Sequence, residues 1–252
     1  MFLKYQYLIM QDICKLIAKD SDSVNGTNDF EVEELENSGS ASSVDEIIND
    51  DTPYGKWDKQ TITYGIKNNR AHLTDGQVRK AVNWSLTAFD FLIENELKFV
   101  TDWANADFSY EFRATNEDPD LNSSTLAYAG YPVAPENYRK IIVINTDFPW
   151  TPNGNSIPGR ELEKMGFRVQ NPDFLYKTWD LDQVLRHENG HKLGLPHSPN
   201  PQRLMSGNYG VMNEWIDEET EARVLAKYGR RNLTSADLVK LTALSRRRAE
   251  MY

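Results

Sequence analysis

Residues 187–198 read HENGHKLGLPHS and hold three of the four histidines in the 252-residue chain. Imidazole concentrated this tightly points to a metal. If 181–193 is helical, His187 and His191 stand at i and i+4 on one face, about 6 Å apart along the axis. Two such rings can grip one zinc ion at about 2.0–2.1 Å each. Glu188 is turned by roughly 100° from the ligand pair. It can lean beside the ion without ligating it, the placement of a general base for metal-bound water. Gly194 supplies the left-handed residue that ends many helices, and Pro196 bars continuation. The chain then turns back, and His197 can complete three nitrogen ligands, leaving a fourth position for water as catalytic zinc requires.

The surrounding pattern must build a scaffold for that helix. TITYGI alternates Ile62, Tyr64 and Ile66, the period of a half-buried strand. Thr74-Asp-Gly-Gln77 is a capping-box pattern, followed by Val78, Val82, Leu86, Phe89 and Ile93 at helical spacing. LKFV, DFSYEF, STLAYAG and IIVI read as further strands, and the Pro- and Gly-rich stretch 149–172 as a loop. Asp180-Leu-Asp-Gln183 offers a second capping box, opening the histidine helix with Leu181, Val184 and Leu185 on one face. A last helix begins at Thr234 and carries Leu238, Leu241 and Leu244. The expected class is α+β, with helices packed on a mixed sheet.

Charge divides the chain. Residues 20–51 hold eleven Asp or Glu and no Lys or Arg, so the formal net charge of −10 belongs to that segment. The segment is polar, nearly free of aromatics and reads as a disordered linker. Residues 1–52 are therefore expected to be an N-terminal extension and 53–252 the folded domain. The near-neutral body gives no basic footprint for nucleic acid, and no apolar run is long enough to span a membrane. Residues 1–19 make a poor export signal, broken by Lys4 and Gln6 and lacking a small-residue cleavage site. The single cysteine, Cys14, excludes an intrachain disulfide and a multi-cysteine metal site.

H-E-x-x-H-x-x-G-x-x-H is the zinc signature of metzincin metalloproteases. Ser198 after the third histidine and Met205 eight residues beyond it make HSPNPQRLMSGNY similar to the matrixins, the matrix metalloproteinase family. PYGKWDKQTITYGI resembles the opening of a matrixin catalytic domain, STLAYAGYP its substrate-binding edge strand, IIVINTDFPWT the next strand and LTSADLVKLTALSR its last helix. The likeness covers most of 53–210 and 233–246. It implies a metzincin-like fold: a mixed, mostly parallel twisted sheet with an active-site helix, a backing helix and a C-terminal helix. It implies a zinc endopeptidase in which His187, His191 and His197 bind one catalytic Zn2+ and Glu188 activates the zinc-bound water. Met205 would form the floor beneath the metal. Tyr209 would stand in the wall of the pocket past the scissile bond, and Leu126 and Ala127 would pair with an extended peptide substrate. The family also implies secretion, and the protein is expected to be a monomer.

Departures from the family narrow these expectations. The matrixin structural zinc takes three histidines and an aspartate ahead of the active-site helix, but 100–180 contains no histidine. Tyr128 and Val143 occupy two of those places, which argues against a structural zinc. Asn145 or Phe148 stands for one calcium-binding acid, which argues against calcium. Gly207 replaces the proline common two residues after the Met. An insertion at about 211–233, helical over EETEARVLAKYG, is expected to reshape the specificity pocket. Cys14 is placed upstream, as a zinc-binding latch would be, but QDICKLIAKD lacks the family's switch motif. The alternative function is a zinc-containing peptide-binding module without turnover, and a third is hydrolysis of a non-peptide bond.

Overall fold

The structure is a computed structural model describing residues 52–152, 154–209, 215–237, 239 and 240. Cys14 and the rest of the N-terminal extension lie outside the described residues. The chain divides into two compact units. The first, residues 51–212 and 216–232, holds every element named below. In the second, Thr234 and Asp237 exchange the reciprocal bonds of a helix cap: Asp237 N–H donates to Thr234 Oγ1 (3.2 Å) and Thr234 N–H to Asp237 Oδ2 (2.9 Å). Leu238, Leu241 and Leu244 of the expected last helix lie outside the described residues.

A five-stranded sheet organises the first unit. β1 (Thr61–Ile66), β2 (Glu96–Phe99), β3 (Phe108–Arg113), β4 (Ala127–Ala129) and β5 (Ile141–Asn145) lie in the order β2-β1-β3-β5-β4. All neighbours are parallel except β4, which runs antiparallel to β5 at the edge. Parallel pairing calls for burial on both faces. β3 answers with Phe108, Tyr110 and Phe112 and β5 with Ile142, Val143 and Ile144, all buried.

α1 (Asp75–Asp90) begins at Thr74, where the capping box is complete, and buries Val78, Val82, Leu86 and Phe89. The 149–172 stretch is more ordered than its glycines and prolines predict. It contains β6 (Trp150–Thr151), β7 (Ile157–Pro158) and α3 (Gly159–Lys164), after the short α2 (Glu136–Arg139). Pro158 sits at an N-cap, where no amide donor is needed. At Gly159 a Cβ would meet Asn171 O at 2.5 Å, so that glycine marks a close approach and not an open loop. β7 pairs with β8 (Leu175–Tyr176), and β6 pairs with β9 (Trp179–Asp180). Trp150 is fully buried and its indole N–H donates to Asn145 O (2.7 Å). The β6–β9 bridge thus fixes the residue at which the histidine helix starts. Among the described residues no helix is long and apolar enough to cross a membrane.

Candidate metal centre and cleft

α4 (Leu181–Lys192) is capped by Asp180, whose side chain accepts from Gln183 N–H. Asp180 N–H itself donates to Tyr209 Oη (3.2 Å). The helix is held from behind by a buried polar chain. Tyr110 Oη donates to Asn189 Oδ1 (2.6 Å), and Asn189 Nδ2 donates to Ser85 Oγ of α1 (2.9 Å). This fixes the rotation of α4, and so the direction in which its histidines face.

The helix ends as the sequence requires. Gly194 has φ +80°, Gly194 N–H donates to His191 O (2.9 Å) and Leu195 N–H to Gly190 O (2.9 Å). These are the two bonds of a Schellman motif. The returning chain carries His197 to the other two rings: ring centroids lie 4.7, 4.8 and 5.3 Å apart. One nitrogen of each ring lies within 4.8 Å of the others. A backbone carbonyl only accepts, so His187 Nδ1, 2.7 Å from Leu204 O, and His191 Nδ1, 2.7 Å from Leu195 O, must carry their protons. Both Nε2 atoms are then lone-pair donors. Burial holds His187 down to about 4 and His191 well below the ordinary imidazole range, so both are neutral at pH 7. Three converging imidazoles, two of them with pinned tautomers, fit zinc.

Glu188 lines the same cleft and is only 4% exposed. Its Oε2 has no hydrogen-bond partner among the described residues. Burial pushes its carboxyl up to about 8, opposed by the nearby Lys192 charge. Met205 is fully buried. Gly190 was not singled out by the sequence reading, yet a Cβ there would collide with the Met205 thioether. A glycine inside a helix costs about 1 kcal/mol relative to alanine, and that local misfit is the signal that marks it.

The cleft of about 740 Å³ is lined by Leu126 and Ala127 of the β4 stretch and by Tyr209. Tyr209 meets Trp179 edge-on (4.8 Å), and Trp179 meets Phe148 in the same way (5.7 Å). Trp179 and Phe148 are wall residues that periodicity alone did not reveal. Tyr128 Oη donates to Asp118 Oδ2 (2.8 Å), which also accepts from Arg113 (2.6 Å). Asn145 Nδ2 donates to the carbonyls of Asn122 and Thr125.

The segment expected to be an insertion contains α5 (Glu218–Tyr228). Its N-cap, Asp217, accepts from Thr220 N–H (3.0 Å) and from Leu204 N–H (2.8 Å). Leu204 O is the acceptor for His187 Nδ1, so the α5 cap braces the residue that orients this imidazole. Asp217→Ala removes a cap and orphans a buried amide. It is expected to cost about 2 kcal/mol or more in urea unfolding, and an unchanged midpoint would contradict the brace.

The sequence profile of the family described as Matrixin matches residues 56–222. The chain belongs to the matrixin family. This matrixin is 27% identical over 181 residues to karilysin of Tannerella forsythia, a match covering 69% of this chain and 33% of that protein. It is 25% identical over 179 residues to Metalloendoproteinase 1-MMP of Arabidopsis thaliana, covering 69% and 44% respectively. It therefore spans a third to less than half the length of these relatives. Its five-stranded sheet and helices are the α+β, metzincin-like arrangement expected.

Proposed function

We propose that this matrixin is a zinc endopeptidase. The observation that carries the reading is the convergence of His187, His191 and His197, two of them tautomer-locked, beside the buried carboxyl of Glu188. Zinc held by these three rings supplies Lewis acidity toward a peptide carbonyl and lowers the pKa of water.

The chain's own groups do the remainder. The free edge of β4, at Leu126 and Ala127, pairs with an extended peptide by strand addition and sets the scissile carbonyl over the imidazoles. Tyr209, Trp179 and Phe148 receive the side chain that follows the scissile bond. Met205 gives the site an apolar floor that fixes the ring positions. Glu188 accepts a proton as water oxygen bonds to the carbonyl carbon, then passes it to the nitrogen as the carbon–nitrogen bond breaks. The name of the plant relative, a metalloendoproteinase, agrees with this chemistry.

The test is mass-spectrometric mapping of fragments from a denatured protein mixture. New peptide termini are expected with the protein alone, none with chelator, and recovery on adding zinc. Peptide binding without new termini would favour the binding-module reading instead.

A further inference from the structure

Lys192 follows His191 but is not among the residues that line the cleft. It is 1% exposed, and its Nζ donates to three backbone carbonyls: Gly130 O (2.9 Å), Tyr138 O (2.9 Å) and Arg139 O (2.8 Å). These oxygens come from two separated stretches, the residue just past β4 and the end of α2. A Cβ on Gly130 would lie 2.6 Å from the carbonyl carbon and oxygen of Tyr138, so the two stretches are in direct backbone contact where the ammonium reaches them. The ammonium also lies 6.0 Å from the centre of the Phe108 ring. Trp57 Nε1 donates to Lys192 O (2.7 Å), holding the residue from its other side. Burial pulls the lysine below its ordinary range. Three N–H···O bonds nevertheless need three protons, so the geometry is that of the charged form.

We propose that Lys192 is a positioning residue: a tethered cation that gathers the carbonyls of the β4–β5 connection, and thereby sets the substrate-pairing edge strand against the active-site helix. Tyr131, next to Gly130, packs edge-on against His191 at 5.3 Å, so the same clamp supports a ligand ring. Three carbonyls facing one another repel in the absence of a cation, and buried carbonyls without donors are costly. Removing the charge is therefore expected to loosen the strand even where the helix keeps its metal. The importance for substrate rests on the endopeptidase reading. The mechanical claim does not.

The experiment uses the full chain with Lys192→Met, a neutral side chain of similar length, and Lys192→Ala, which lacks the equivalent of n-propylammonium. Amide hydrogen exchange is measured over residues 126–140, zinc content is measured in parallel, and KM and kcat are measured with a cleaved peptide. Lys192→Met is expected to exchange about tenfold faster in that stretch. It should raise KM by about tenfold, at one zinc per chain. For Lys192→Ala, added n-propylammonium should restore protection and KM, and 1-propanol should not. Unchanged exchange in Lys192→Met, or equal rescue by the alcohol, overturns the proposal. If Lys192→Met does not fold, recovery of the Lys192→Ala unfolding midpoint by the ammonium but not the alcohol decides the matter. If the wild type cleaves nothing, the exchange data still decide for or against the clamp, and only the endopeptidase reading fails.

Discussion

Glu188→Gln is expected to lower kcat/KM by about 10²–10⁴-fold while one zinc per chain is retained. The substitution keeps size and hydrogen-bonding capacity but removes the proton acceptor. It alters none of the three imidazoles that could hold the metal. The same change should stabilise the metal-free protein, in a pH-dependent way with a definite sign. Burial holds the Glu188 carboxyl up to about 8 in the folded chain, against about 4.3 for an ordinary glutamate. Between those values the unfolded chain releases the proton and the folded chain keeps it, so the folded state loses stability as pH rises through the window. Glutamine has no such loss. The stability of Glu188→Gln relative to wild type should therefore grow from pH 4.5 to pH 8, by on the order of a few kcal/mol, and level off above. Urea unfolding in chelator at a series of pH values measures it. A gap that does not vary with pH would mean that the carboxyl ionises as it does in water. Zinc favours the ionised carboxylate, so loading the metal should narrow the gap. Opposite effects of one substitution on turnover and on metal-free stability are what the proposed role of this buried carboxyl predicts.

Much of the centre was legible because its chemistry is local in sequence. His187, His191, Gly194 and His197 fall within one helix turn and one bend, where 3.6-residue geometry and glycine's access to positive φ decide the outcome. The strands were legible for a similar reason: Phe108, Tyr110 and Phe112 alternate because one strand must bury them. What escaped was long-range. Trp179 and Phe148 meet only because β6 pairs with β9, a two-residue contact with no periodic trace. Asp217 braces Leu204 from thirteen residues away, and Lys192 binds carbonyls more than fifty residues distant. Single polar residues that answer partners elsewhere in the chain leave no pattern in a linear sequence. The 149–172 stretch was misread because its Pro158 and Gly159 meet tertiary requirements and not merely turn requirements.

Gly194→Ala tests whether the bend itself is required. At φ +80° an alanine pays about 1–2 kcal/mol for left-handed backbone, and its methyl would run into the carbonyl oxygen of Gly55. The Gly55 backbone cannot swing aside as a flexible side chain would, so the Schellman turn must open or the backbone at Tyr54 and Gly55 must shift. Gly166→Ala is the control: φ is +90°, but nothing lies within 4 Å of the added Cβ. It should show the conformational cost alone. Gly194→Ala is expected to lose about 2–4 kcal/mol in all, and roughly 5–15 °C in Tm. It should also bind zinc at least about tenfold more weakly, because the turn sets the direction from which His197 reaches the other two rings. Gly166→Ala should bind zinc as the wild type does. Calorimetry of both variants, followed by zinc titration against a competing chelator, separates the two contributions. Equal losses in the two variants would assign the whole effect to glycine's backbone freedom and none to the contact between the bend and Gly55.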